Sequence, residues 1–288
     1  NNVYRKMSKE VMKISERNAK GKTPEDYGFR MPNKKGIEKF ELHEGASVKK
    51  VIGIVSGKGG VGKSFVTSML ASMMQKRNHR VAVLDGDITG PSQGKSFGVT
   101  SKAEGFKGTI YPAITKSGMQ LISSNMLLDK DETPVIWRGP MVASILQQFY
   151  SEVLWEAVDY MFVDMPPGTS DVPLTLFQSV PLDGIIVVTS PQDLVSMVVE
   201  KAINMASMMN IKVLGLVENM SYVQCPNCDE KIYVFGKSHA HEVAQKYHLP
   251  LLAQIPMNPE IPAAADKGSI DEVVVPELDV VAEFIESI

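Results

Sequence analysis

An apolar, β-branched run, Val51-Ile52-Gly53-Ile54-Val55, ends in Ser56-Gly57-Lys58-Gly59-Gly60-Val61-Gly62-Lys63-Ser64 and gives way to a helical pattern. Few architectures accommodate that junction. Gly57, Gly62, Lys63 and Ser64 satisfy G-x-x-x-x-G-K-[ST], a loop that wraps phosphate groups. Its glycines let backbone N–H groups close on an anion, and the following helix adds its unpaired N-terminal N–H groups and positive dipole end. Lys63 is then placed to reach the β- and γ-phosphates, and Ser64 to hold Mg²⁺. A glycine-rich surface turn is the plain alternative. Chance would supply the four-position match in about 1% of chains this long, and a strand before and a helix after make it rarer.

The remaining pattern is a succession of short apolar runs separated by helical ones. Val48–Val55, Arg80–Leu84, Tyr160–Asp164, Gly184–Thr189, Lys212–Val217 and Leu251–Ile255 read as buried strands. Residues 63–77 read as the first helix, with Val66, Met69, Leu70, Met73 and Met74 in one stripe. Helices are also expected over roughly 140–155, 193–209 and 277–288. Such an alternation predicts an α/β fold, a mostly parallel sheet with helices on both faces. Residues 93–120 are read as lacking regular helix, with Thr109–Ile114 and Met119–Ser123 pairing around Lys116-Ser117-Gly118. Residues 1–47 are polar and charged, with a short helix expected over 8–20 and an irregular arm over 21–36. They are read as an N-terminal extension to an ATPase domain at 48–288.

Two strand ends deliver carboxylates where parallel sheets bind ligands. The run at 80–84 leads into Asp85-Gly86-Asp87, and the run at 160–164 ends on Asp164, before Met165-Pro166-Pro167-Gly168. A turn or capping role is the plain reading of Asp85 and Asp87. Beside a phosphate loop, Asp85 and Asp87 are expected to contact Mg²⁺-bound water and to orient the attacking water, and Asp87 to position that water. Asp164 matches the Walker B acid, acting on Mg²⁺ through water or hydrogen-bonding Ser64.

The 288-residue chain has only two cysteines, spaced as Cys225-Pro226-Asn227-Cys228. The spacing suits one metal centre, and equally a dithiol redox pair. Zinc and iron–sulfur sites normally take four ligands. His239 and His241 offer an intrachain Cys₂His₂ alternative, but their spacing is short for it. A two-fold dimer would assemble four thiolates from two chains. Shared metal or cluster, intrachain zinc, redox pair and incidental thiols all remain open on spacing alone.

The net charge of −3 shows no overall bias toward nucleic acid. No apolar run approaches a membrane span of about 18 residues. Residues 1–6 lead into a polar segment, with no apolar signal core. A cytoplasmic protein binding neither nucleic acid nor membrane is the resulting expectation.

Lys58 sharpens the reading. The order Lys-Gly-Gly-Val-Gly-Lys-Ser resembles the deviant P-loop of the MinD/ParA/nitrogenase iron-protein ATPases. That resemblance implies a homodimer in which Lys58 crosses to the partner's nucleotide. The wider set is similar to the Mrp/ApbC family of iron–sulfur carrier ATPases. It comprises Gly57–Ser64, Asp85–Ser92, Trp137-Arg138-Gly139-Pro140, Asp164–Asp171, Glu218-Asn219-Met220-Ser221 and the C-x-x-C, spread over about residues 48–270. The family resemblance implies slow, switch-like hydrolysis of ATP, and a dimer-bridging [4Fe–4S] cluster on Cys225 and Cys228 that passes to apo-proteins. It implies catalytic roles for Lys58, Lys63 and Asp87. It also implies nucleotide binding by Gly57, Lys58, Gly59, Gly60, Val61, Gly62, Lys63, Ser64, Phe65, Asp164, Asn219 (at the adenine) and Pro256. Phe65 stands where Thr is common, and Asn258 where Asp is often seen. The small N-terminal domain of many bacterial members has no counterpart in residues 1–47. The rivals are a MinD/ParA-type positioning ATPase, an electron-transferring iron protein and a zinc-stapled dimeric ATPase. An acidic C-terminal helix argues against a membrane-positioning role.

Overall fold

The computed structural model describes residues 39–288 except 89, 128–138, 169–170, 193–196 and 229. The expected helix over 8–20, the arm over 21–36, and Trp137 and Arg138 lie outside the described residues.

Along the chain run β1 (Val48–Ser56), α1 (Lys63–Lys76), β2 (Val81–Asp85), α2 (Gln93–Ser96), β3 (Glu104–Phe106), β4 (Thr109–Tyr111), β5 (Ala113–Ile114) and β6 (Gln120–Ile122). Then come α3 (Gly139–Ser151), β7 (Val158–Asp164), α4 (Asp171–Ser179), β8 (Gly184–Thr189), α5 (Met197–Met208) and β9 (Val213–Glu218). The last elements are β10 (Val223–Gln224), β11 (Lys231–Ile232), α6 (Ala240–Tyr247), β12 (Leu251–Gln254), α7 (Glu260–Lys267) and α8 (Asp279–Glu286).

Eight strands form one sheet in the order β12-β9-β8-β1-β7-β2-β6-β5. All neighbours are parallel except the edge pair β5–β6. Residues Val51, Ile52, Ile54 and Val55 of β1 are all buried. This is the burial on both faces that a continuous apolar run encodes. Side chains of α3–α6, among them Leu146, Phe149, Leu176 and Val199, pack on one face. On the other, Val66, Met69, Leu70 and Met74 of α1 meet Val281 and Ile285 of α8. Each such side chain contributes about 1.5–3 kcal/mol of burial. Phe40, Leu42 and Ala46 also pack against the core, so apolar packing begins before β1.

The acidic face of α8 has a structural use. Glu286 accepts from Arg77 at 2.9 Å and pairs with His79 at 2.8 Å. Asp279 and Glu283 also lie within 4 Å of the Arg77 guanidinium. The helix is thereby tied to the end of α1. Among the described residues no helix is long and apolar enough to cross a membrane.

The segment 93–120 departs from expectation in two ways. A one-turn helix, α2, begins at Gln93. The long hairpin is replaced by two pairings. Here β4 pairs with β3 around Lys107-Gly108, and only β5 pairs with β6. Lys107 and Gly108 both take positive φ, 51° and 85°, as a two-residue hairpin turn requires.

Candidate functional site: a phosphate loop, two paired acids and a distant thiol pair

The site lies where β1, β7 and β2 end side by side. Parallel register sets Ile54 beside Asp164, and Asp85 beside Asp164. The sheet therefore aligns the loop after β1 with both acids, which neither local segment could do alone.

Gly62 closes the loop as the cap of α1, with φ of 84°, in the left-handed region that favours glycine. A Cβ there would also overlap the amide nitrogen of Asn219. By contrast, nothing lies within 4 Å of a Cβ placed on Gly59 or Gly60. The loop thus has open space above its glycines and a helix N-terminus behind it, a cradle that fits phosphate. Lys58, Gly59 and Gly60 are exposed, Gly57, Ser64 and Phe65 are half-buried, and Val61 and Lys63 are buried.

Lys63 forms a buried ion pair with Asp164 Oδ1. Thr67 Oγ1 donates to the same oxygen at 3.3 Å. On the other oxygen, Gln93 Nε2 donates at 2.8 Å, and it also reaches the Ser64 carbonyl at 3.0 Å. Gln93 Oε1 accepts from Ser68 Oγ at 2.7 Å. The expected bond from Asp164 to Ser64 is therefore relayed: Gln93 bridges the acid to the Ser64 backbone. No local signal singles out Gln93. It follows Gly90-Pro91-Ser92, and only the tertiary fold brings it under α1.

The two acids at the end of β2 differ in their surroundings. Asp85 is fully buried. Its Oδ2 accepts from the backbone N–H groups of Ser92 and Gln93, each at 3.1 Å, and from Ser123 Oγ at 2.9 Å. Burial pushes its carboxyl up to about 7, and the neighbouring Asp164 charge adds to that shift; the Gln93 N–H, the Ser123 hydroxyl and Lys63 oppose it. Asp87 is half-buried, and its carboxylate accepts from Gly90 N–H at 3.2 Å. So the turn role holds for Asp87 in this structure, and its partial exposure leaves the carboxylate within reach of solvent.

Asn219 follows β9 and is 6% exposed. Its Nδ2 donates to the Val61 carbonyl at 3.0 Å, so it braces the phosphate loop. Pro256 follows β12 and is half-buried.

Cys225 and Cys228 sit outside this cluster, on the excursion between β9 and α6. β10 and β11 pair antiparallel, and Cys225 N–H donates to the Glu230 carbonyl at 3.0 Å. Both thiols are free; Cys225 is half-buried and Cys228 exposed. The Asn227 backbone N–H, with the Cys228 thiol and N–H, holds the Cys225 thiol below its usual value. A thiol so placed is a ready metal ligand or nucleophile. Among the described residues no three His, Cys, Asp or Glu side chains converge on a metal position. His239 and His241 therefore do not complete a site with the cysteines within the described chain.

A family model described as ParA, NUBPL iron-transfer P-loop NTPase, matches residues 47–288. A Clostridium perfringens protein named iron-sulfur cluster carrier protein is 44% identical over 79% of this chain and 83% of its own length. A Methanocaldococcus jannaschii protein of the same name is 43% identical over 77% of this chain and 78% of its own. Among solved structures, a nucleotide-binding protein from Archaeoglobus fulgidus, in complex with ADP and with Co found in it, is 38% identical. It superposes with a TM-score of 0.72 over 80% of this chain and 90% of that one. The Pyrococcus furiosus cell-division ATPase MinD shares the fold, with a TM-score of 0.56 over 83% of this chain and 98% of that one, at 22% identity. With the strand–loop–helix, the flanking acids and this match over most of its length, the chain belongs to the NUBPL iron-transfer P-loop NTPases of the ParA class.

Proposed function

We propose that this chain is an ATP-dependent iron–sulfur cluster carrier that works as a homodimer. One observation carries the reading. A phosphate loop bearing Lys58 and a C-x-x-C with free thiols occur in one chain whose cysteines supply only two of four ligands. A second copy supplies the other two thiolates and receives Lys58 at its nucleotide. The names of the relatives support the same cargo.

The residues divide the work as follows. Backbone N–H groups of Gly57–Gly62 and the start of α1 hold the phosphates. Lys63 is placed to bind phosphate oxygens, and Ser64, with Asp164 through water, would hold a Mg²⁺ that neutralises phosphate charge. Asp87 orients the attacking water. Asn219 and Pro256 border the base, and Phe65 flanks the phosphates without the hydroxyl a Thr would add. Hydrolysis is slow and serves to switch the dimer between holding and releasing the cluster. Cys225, Cys228 and their symmetry mates hold a [4Fe–4S] cluster as cargo for apo-proteins.

Anaerobic reconstitution, metal analysis and transfer to an apo-enzyme test this. The expected result is about four iron per dimer, cluster absorbance lost in Cys225→Ala, and activation of the recipient. Stoichiometric zinc without cluster overturns the carrier reading. For the dimer-completed site, Lys58→Ala spares nucleotide binding and slows hydrolysis; unchanged turnover refutes a role across the interface.

A further inference from the structure

The last residue of β9 and the residue after it point to different sites. Asn219 reaches the phosphate loop, donating to the Val61 carbonyl at 3.0 Å. Glu218, fully buried, reaches the base of the cysteine-bearing excursion. Its Oε1 accepts from Ser238 Oγ at 2.8 Å, and its Oε2 from Ser221 Oγ at 2.5 Å and Gln254 Nε2 at 2.8 Å.

Ser221 and Ser238 bracket the excursion that carries Cys225 and Cys228. One carboxylate therefore grips both of its arms. Ser238 Oγ also accepts from Ala240 N–H at 3.0 Å, so the same contact fixes the start of α6. Backbone bonds pin the hub to the sheet. Asn219 N–H donates to Thr189 O at 2.8 Å, Ser221 N–H to Ile255 O at 2.9 Å and Ile255 N–H to Glu218 O at 2.8 Å. Above this base the excursion is mostly exposed, including residues 231–237. Hydrogen bonds to a buried anion are roughly twice as strong as neutral ones. The hub thus ties both arms of the excursion to the end of β9, while the outer part is held by the β10–β11 pairing and by Tyr222, which meets Tyr233 and Lys231.

We propose that Glu218 is a positioning residue that couples the phosphate loop to the thiol pair, Asn219 sensing the loop and Glu218 setting the excursion. The purpose of the coupling rests on the carrier reading; its existence does not. Here the Asn219 amide rests on the Val61 carbonyl; a nucleotide seated on the loop would draw it off that carbonyl. A change in its partner shifts the end of β9, and Glu218 passes the shift to both arms of the excursion. Two discrete arrangements of one element, biased from both sites, are what coupling requires.

The test uses reduced, metal-free protein, so it is independent of what the thiols bind. Alkylation of Cys225 and Cys228 by iodoacetamide is followed by mass spectrometry, with and without a non-hydrolysable ATP analogue and Mg²⁺. In the parent chain the nucleotide is expected to change the rate by about fivefold or more. Ser238→Ala, which removes one arm's contact, is expected to bring the ratio close to one while analogue affinity is retained. Glu218→Gln, which keeps the shape and loses an acceptor, is expected to do the same. A general loosening of the fold would alter both rates and leave their ratio in place. A parent chain whose rate ignores nucleotide, or variants that keep the full ratio, overturn the proposal. Failure of the protein to bind a cluster, with the alkylation ratio intact, overturns the carrier reading alone.

Discussion

Replacing Gly62 by Ala should expose how the phosphate loop is braced. Gly62 sits at φ 84°, where an L-residue costs about 1–2 kcal/mol. Its new Cβ would occupy the position of the Asn219 amide nitrogen. That nitrogen ends a side chain, so it moves away and the steric overlap itself is relieved. What is lost is its bond to the Val61 carbonyl, leaving buried polar groups without partners at about 1–3 kcal/mol. Gly62→Ala therefore destabilises by about 3 kcal/mol in all, read as a lower urea midpoint at unchanged slope. The second half of the cycle isolates the cause. In an Asn219→Ala background only the backbone strain remains, so the same Gly62→Ala change costs about 1–2 kcal/mol. The cycle then gives a coupling of about 1–2 kcal/mol, within the range for residues in contact. Equal costs in the two backgrounds would refute the bracing contact.

Three further outcomes follow from the buried polar cluster. Gln93→Leu removes the bridge among Asp164, Ser64 and Ser68; it should cost about 2–3 kcal/mol in urea unfolding and lower ATP turnover, and wild-type turnover would count against the bridge. Lys63→Met leaves Asp164 buried without its cation. The expected cost is about 3–5 kcal/mol, largely recovered when Asp164→Asn is added, with nucleotide binding lost in both. Asp85 keeps a proton in the folded state, with its carboxyl raised to about 7, that the unfolded chain releases near its ordinary value. The native state thus binds more protons across that interval, and stability falls as pH rises from about 4 to about 7. Asp85→Asn should flatten this part of the urea-midpoint profile; a profile that is already flat in the parent removes Asp85 as its cause.

Some of this was legible because it is written locally. The nest after β1 depends on glycine spacing, and the strand–loop–helix around it on two short periodicities. The acids at 85, 87 and 164 follow apolar runs, so their place at strand ends could be read from neighbours in sequence. The C-x-x-C is likewise a local pattern. Boundaries drifted where local preference was weak: Thr109 pairs with Phe106 of β3 across the Lys107-Gly108 turn, in place of β6. The acidic character of α8 was visible, but its partners Arg77 and His79 were not.

The phosphate loop, the α/β alternation, the candidate acids and the thiol pair are encoded locally, since each rests on residues a few positions apart. Tertiary structure decided which of these meet. Parallel register placed Asp85 against Asp164, and burial there, with the Asp164 charge, raised its carboxyl. Folding beneath α1 made Gln93 the bridge between Asp164 and the loop. At the end of β9, Asn219 was turned onto Val61 and Glu218 onto Ser221, Ser238 and Gln254. Such contacts join side chains distant along the chain, and no local pattern records them because their geometry exists only once the sheet has closed over them.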